Sequence, residues 1–275
     1  MLLKTIRILL VTVFVLVAAA FGILVVYQYT HEDVQPPVFT SDFDLLEISV
    51  NASDRDLCAG LHAYDNVDGD ISDRIVVKSV SPLVNATDAV ITYLVFDESS
   101  NAATYTRTLR YTDYSRPRFA LSQPLIFTVG DKITLLDRLS AYDALDGDLT
   151  GRILLTQSTI SNSTAGSYVI HVQVTNSAGD TSVLPLTITV QRPSASMPTV
   201  SLKEYLIYVK KGETVDWNSF VASVQDPLVG AARRSDVICN TDKVDLSAEG
   251  AYEAYYYYIG KSGETATAIL NVVVE

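Results

Sequence analysis

The sequence predicts an all-β protein, three small β-sandwich units in tandem behind one N-terminal transmembrane helix. Three observations predict it. Residues 8–27 read ILLVTVFVLVAAAFGILVVY, a run without a charge. Beyond residue 35, short alternating apolar runs are separated by clusters of Asp, Asn, Gly and Ser, which is the pattern of a sandwich or barrel. That pattern then recurs at a nearly constant interval, the mark of a repeat architecture.

About 20 apolar residues rising 1.5 Å each cross a hydrocarbon core about 30 Å thick. Lys4 and Arg7 precede the run, and His31, Glu32 and Asp33 follow it. The positive-inside bias places residues 1–7 in the cytoplasm as a short tail and the bulk of the chain outside, extracellular or periplasmic. Residues 28–35 are then a juxtamembrane linker. Ala18-Ala19-Ala20 offers the small residues of a signal-peptide cleavage site, but the apolar run continues through Tyr27, which favours an uncleaved anchor.

AYDNVDGDIS begins at Ala63, and AYDALDGDLT begins 78 residues later at Ala141. Arg74 and Arg152 keep that spacing, and FDESSN from Phe96 matches TNSAGD from Thr175. A third copy is more distant: AGSYVIHVQVTNSAGDT from Ala165 matches EGAYEAYYYYIGKSGET from Glu249. The units expected are 36–114, 115–192 and 198–275, joined by Ser115-Arg116-Pro117 and by the proline-containing stretch 192–198. Each is long enough for a seven-strand sandwich. Ala89 to Phe96 and Tyr168 to Val174 are examples of the expected strands.

The proline starts (Pro36-Pro37 and Pro117), the A-x-D-x-x-D-G-D-[IL] string, and the late hairpins in FDESSNAATYTRTLRY and TNSAGDTSVLPLTITV resemble the Ig-like domain of bacterial surface proteins. This type is also found in pesticidal crystal toxins. The resemblance covers units one and two. Unit three keeps the hairpin but reads Val224-Gln225-Asp226-Pro227 where the string should fall. The resemblance implies Ig-like β-sandwiches, tandem extracellular modules, and no catalysis. It implies no particular ligand, because one fold serves many functions.

Net charge is −12, with a pI near 4.6. Neutralising nucleic-acid phosphates needs a basic face, so nucleic acid is excluded as a partner. His31, His62 and His171 form no motif, and neither a GxSxG elbow nor an HExxH pair occurs. Gly260-Lys261-Ser262 copies only the tail of a P-loop, at a place expected to be a hairpin. Cys58 and Cys239 fall in different units, so both are expected to be free thiols.

Two groups of residues stand out as candidate sites. Asp65, Asp68 and Asp70, with Asp143, Asp146 and Asp148, lie on tight loops where clustered carboxylates can offer oxygen ligands to Ca²⁺. The competing reading is structural: aspartates accept backbone N–H bonds in turns, and Arg74 and Arg152 are placed to pair with them. The second group is the strand Ala254-Tyr255-Tyr256-Tyr257-Tyr258. By alternation Tyr256 and Tyr258 face the core, leaving Tyr255 and Tyr257 outward as ligand-binding candidates.

The reading is a non-enzymatic stalk or binding and adhesion module at the bacterial cell surface. Its expected partners are membrane lipid through residues 8–27 and a surface protein or glycan. The alternatives are an accessory subunit of an envelope assembly and, more remotely, a glycan-acting enzyme using paired aspartates.

Overall fold

A computed structural model describes residues 2–31, 33–158 and 160–275, and the side chains of 4–27, 33–156 and 160–275. Helix α1 spans Leu2–His31. Its apolar stretch within Lys4–Tyr27 has a mean hydropathy of 3.1, and it is exposed throughout. The helix is therefore long and apolar enough to cross a membrane. It extends past residues 8–27 at both ends, so Lys4 and Arg7 lie in helical turns. No Gly or Pro occurs between Gly22 and Pro36 to stop it earlier.

The chain divides into two compact units, Met1–Thr112 and Asp113–Glu275. In the first unit the strands are β1 (Val38–Ser41), β2 (Leu45–Ile48), β3 (Leu61–Asp65), β4 (Gly69–Asp70), β5 (Val76–Val80), β6 (Asp88–Phe96) and β7 (Ala102–Tyr111). A one-turn helix α2 (Asp54–Leu57) follows β2; Ser53 and Asp56 close its N-terminus with a reciprocal capping box. The strands form two sheets, ordered β1-β3-β4 and β2-β7-β6-β5. All pairs are antiparallel except β2 with β7.

Alternation decides which side chains meet between the sheets. Leu61 and Ala63 of β3 face Ile91, Tyr93 and Val95 of β6 and Leu109 of β7 in one apolar core. Burial of that area out of water is what holds the two sheets together.

The second unit repeats this plan twice. Strands β8 (Arg118–Leu121), β9 (Ile126–Thr128), β10 (Leu139–Asp143), β11 (Gly147–Asp148), β12 (Leu154–Ser158), β13 (Gly166–Thr175) and β14 (Thr181–Gln191) give sheets β11-β10-β8 and β12-β13-β14-β9. Strands β15 (Thr199–Leu202), β16 (Leu206–Val209), β17 (Val221–Asp226), β18 (Gly230–Ala231), β19 (Ile238–Asn240), β20 (Gly250–Ile259) and β21 (Thr265–Val274) give β15-β17-β18 and β16-β21-β20-β19. The parallel pair recurs as β9 with β14 and β16 with β21. The third copy, faint in the sequence, keeps every strand.

These two sandwiches share one continuous apolar cluster, so residues 113–275 form a single compact unit. The Phe119 N–H donates to Tyr208 Oη at 2.8 Å. The Arg118 guanidinium lies 4.9 Å from the centre of the Tyr208 ring and pairs with Glu275.

Candidate functional site

An aspartate ends the third strand of each sandwich: Asp65, Asp143 and Asp226, with exposures of 1%, 1% and 0%. One oxygen of each builds the turn that follows. Asp65 Oδ1 accepts from the N–H groups of Val67 (2.8 Å) and Asp68 (3.0 Å). Asp143 Oδ1 accepts from Leu145 (2.7 Å) and Asp146 (3.0 Å), and Asp226 Oδ1 from Leu228 (2.9 Å). Four residues on, Gly69, Gly147 and Gly230 sit at φ of 76°, 71° and 80°, the left-handed region that glycine enters without steric cost. The acidic string is thus first a turn code.

This corrects the expectation for unit three. Asp226 and Gly230 keep the turn, while Val229 and Ala231 replace the second and third acids. Pro227 disguised the match.

The later aspartates of the strings are also taken up locally. Asp70 accepts from Ser72, whose hydroxyl and N–H hold its carboxyl below the usual range. Asp148 Oδ1 accepts from the Thr150 N–H at 2.8 Å. Asp68 Oδ2 accepts from the Glu98 N–H (2.6 Å) and from Arg74 (3.3 Å). Asp146 Oδ2 accepts from the Ser177 N–H (2.7 Å) and from Arg152 (2.8 Å). In both sandwiches the second acid ties the turn to the hairpin beyond the sixth strand.

The second oxygen of the turn aspartate meets a different group in each copy. In the second and third sandwiches it faces the residue just past the sixth strand, Asn176 or Gly260; in the first, Asp97 holds that position. In the second sandwich Asn176 Nδ2 donates to Asp143 Oδ2 (3.0 Å) and to Tyr114 Oη (2.9 Å). In the third, Lys261 N–H donates to Asp226 Oδ2 at 2.8 Å. A Cβ at Gly260 would stand 3.2 Å from that oxygen and 3.0 Å from Pro198 Cγ, which is why the position is bare.

In the first sandwich Asp65 Oδ2 is buried and has no hydrogen-bond partner. Asp33, Asp65 and Asp97 each bring one carboxylate oxygen to within 4.8 Å of the others. Among the described residues, no other set of three His, Cys, Asp or Glu side chains converges this way. Asp33 and Asp97 were not candidates in the sequence. The available signal was the aligned hairpin position, where one repeat has Asp97 and the next Asn176.

On β20, Tyr256 is fully buried and Tyr258 is 8% exposed, as alternation requires. Tyr256 Oη donates to the Trp217 carbonyl at 2.8 Å. Tyr255 and Tyr257 lie on the other face, half-buried, their rings parallel within 6° and centred 6.1 Å apart. Tyr255 Oη donates to Glu253 Oε2, and burial together with that carboxylate raises its pKa. Asn240 and Ile269 stand opposite Tyr255, and Ile238 and Thr267 opposite Tyr257. Trp217 is half-buried. Cys58 and Cys239 are free thiols, each raised in pKa chiefly by burial.

No family model matches the chain. A pesticidal crystal protein, Cry22Aa of Bacillus thuringiensis, is 25% identical over 218 residues, which cover 78% of this chain; the chain spans 29% of that protein's length. This accords with the Ig-like resemblance carried by the acidic strings. Similar solved structures include the CBM51-2 and INT domains of Clostridium perfringens ZmpB in complex with GlcNAc (16% identity, 54% of this chain, 26% of that chain, TM-score 0.23). Drosophila N-cadherin EC1-4 is another (13% identity, 89% of this chain, 76% of that chain, TM-score 0.23). Likeness at these scores decides nothing about ligands.

Proposed function

We propose that the chain is a non-enzymatic binding module held at the bacterial surface by α1, with its sandwiches outside the cytoplasm. One observation supports this most: an exposed helix with a charge-free apolar run leads into sandwiches whose grouped aspartates are spent largely on turns and inter-strand ties. The binding element is the outward face of β20, where Tyr255 and Tyr257 present two parallel rings beside the Glu253 carboxylate. Aromatic faces with a nearby acceptor suit a surface glycan or the side chains of a protein partner.

The test uses the full chain in nanodiscs, applied to a glycan array and to intact cells. Retention that falls at least tenfold in the Tyr255→Ala/Tyr257→Ala double variant supports the reading. Retention unchanged in that variant removes the tyrosines from it. A stoichiometric membrane protein co-purifying in detergent would favour the accessory-subunit alternative instead. Digestion of the sandwiches by protease added to intact cells tests the topology; full protection would overturn it.

A further inference from the structure

We propose that Asp33, Asp65 and Asp97 bind one Ca²⁺ ion, which fastens the segment leaving α1 to the first sandwich. Three copies of one position within the same chain carry this inference. In each sandwich the turn aspartate spends Oδ1 on backbone N–H groups. In the second and third, Oδ2 then receives a hydrogen, from Asn176 or from the Lys261 N–H. In the first, the place of Asn176 is taken by a second carboxylate, Asp97, and the flanking segment adds a third, Asp33. Asp65 and Asp97 are 1% and 6% exposed, so water screens them little, and Asp65 Oδ2 has no donor. A buried acceptor without a donor, gathered with two further carboxylates, calls for a positive charge among them.

The surroundings hold the carboxylates ready for an ion. The Asn101 N–H donates to Asp97 Oδ1, and Asn101 Nδ2 donates to Asp97 Oδ2, both at 2.7 Å. The same amide reaches the Asp33 carbonyl at 3.0 Å, so one side chain positions two of the three acids. Gln35 N–H donates to Asp33 Oδ1 at 3.1 Å. Arg74, the base that follows the string, is committed to Asp68 and Glu98.

The chemistry of the donors selects the ion. All three are oxygens, which favours a hard cation over zinc. They come from a flanking segment, a strand end and a hairpin, an irregular set. Ca²⁺ tolerates such geometry and fills its remaining positions with water, whereas Mg²⁺ demands a near-ideal octahedron. The ligand set therefore differs from the one expected from the strings: Asp68 and Asp70, like Asp143, Asp146 and Asp148, take part in the turns and ties instead.

The inference concerns the first unit alone and stands or falls separately from the tyrosine face. Its test is flow dialysis of the full chain in detergent micelles with ⁴⁵Ca²⁺, after stripping with chelator. The expected result is one ion per chain with Kd of about 10⁻⁴ to 10⁻³ M, the range of extracellular sites. Asp97→Asn places at that position the residue the second sandwich carries, so it should fold, lose the ion by at least tenfold in affinity, and unfold at the same temperature with Ca²⁺ or chelator. Asp33→Asn, outside the sandwich core, should weaken binding in the same direction. Asp146→Asn should bind like the wild type. Binding undiminished in both Asp97→Asn and Asp33→Asn would overturn the site. So would the absence of bound ion and thermal shift at about 10 mM Ca²⁺. An equal response to Mg²⁺ would overturn the choice of ion.

Discussion

Tyr93 and Tyr256 occupy equivalent core positions in the first and third sandwiches, and each hydroxyl reaches a carbonyl in the connection after the second strand. Tyr93 Oη donates to the Leu57 carbonyl at 2.6 Å, and Tyr256 Oη to that of Trp217 at 2.8 Å. The second sandwich has Val172 there and forgoes the bond. Tyr256→Phe keeps the packing and leaves a carbonyl without its donor, so it should cost about 1 kcal/mol in urea unfolding.

Asp88, buried at the start of β6, accepts from Arg110 Nε (2.7 Å) and Nη2 (3.0 Å) and from Asn85 Nδ2 (2.9 Å). The Arg110 bonds, then Asn85, hold its carboxyl far below the usual range. Its folded pKa thus lies below the unfolded value of about 3.9, and the stability it adds is complete above about pH 4 and drains away as the pH falls towards the folded value. The stability gap between wild type and Asp88→Asn should therefore be widest at neutral pH and close on acidification. A gap independent of pH would refute this account of the pair.

Each turn and hairpin works as an element because one side chain crosses between them. In the second sandwich Asp146 spans from the β10–β11 turn to Ser177 in the β13–β14 hairpin. Asp146→Ala should leave both sheets intact and speed amide exchange at Ser177 about tenfold, the equivalent of one lost hydrogen bond. The turn itself depends on its glycine. Gly147→Ala meets no neighbouring atom but forces a side chain into φ of 71°, so the expected cost is about 1–2 kcal/mol. β5 and β12 carry bulges at matching places, between Val77 and Ser79 and between Leu155 and Gln157. The third copy has its bulge at Ala222 of β17 instead, where the pairing with β15 shifts between Ser201 and Leu202.

At the scale of the molecule, the second and third sandwiches are one cooperative body. They share a core, and Tyr208 of β16 accepts the Phe119 N–H of β8. Calorimetry of the full chain in detergent should show residues 113–275 melting in one transition. Tyr208→Ala removes the acceptor, leaves Phe119 N–H unpaired and takes away the ring under Arg118, so the transition should broaden or split. A single sharp transition in that variant would show that the shared apolar cluster suffices.

The apolar helix, the β class, the repeat, the inward and outward faces of β20, and the turn residues of the first two copies are legible in the sequence. Each of these is written within a few neighbouring positions: a charge-free run, an alternation of period two, an Asp followed four residues later by Gly. What the second oxygen of each turn aspartate meets depends instead on how distant segments pack in the fold. Asp33, Asp65 and Asp97 lie in three separate segments, and the pairing of β3 with β1 in one sheet and β6 with β7 in the other brings their surroundings together. The same holds for the body formed by the last two sandwiches. Its boundary follows from which apolar faces find each other across the fold, and a proline-containing linker at 192–198 marks a joint in the chain without separating the bodies on either side.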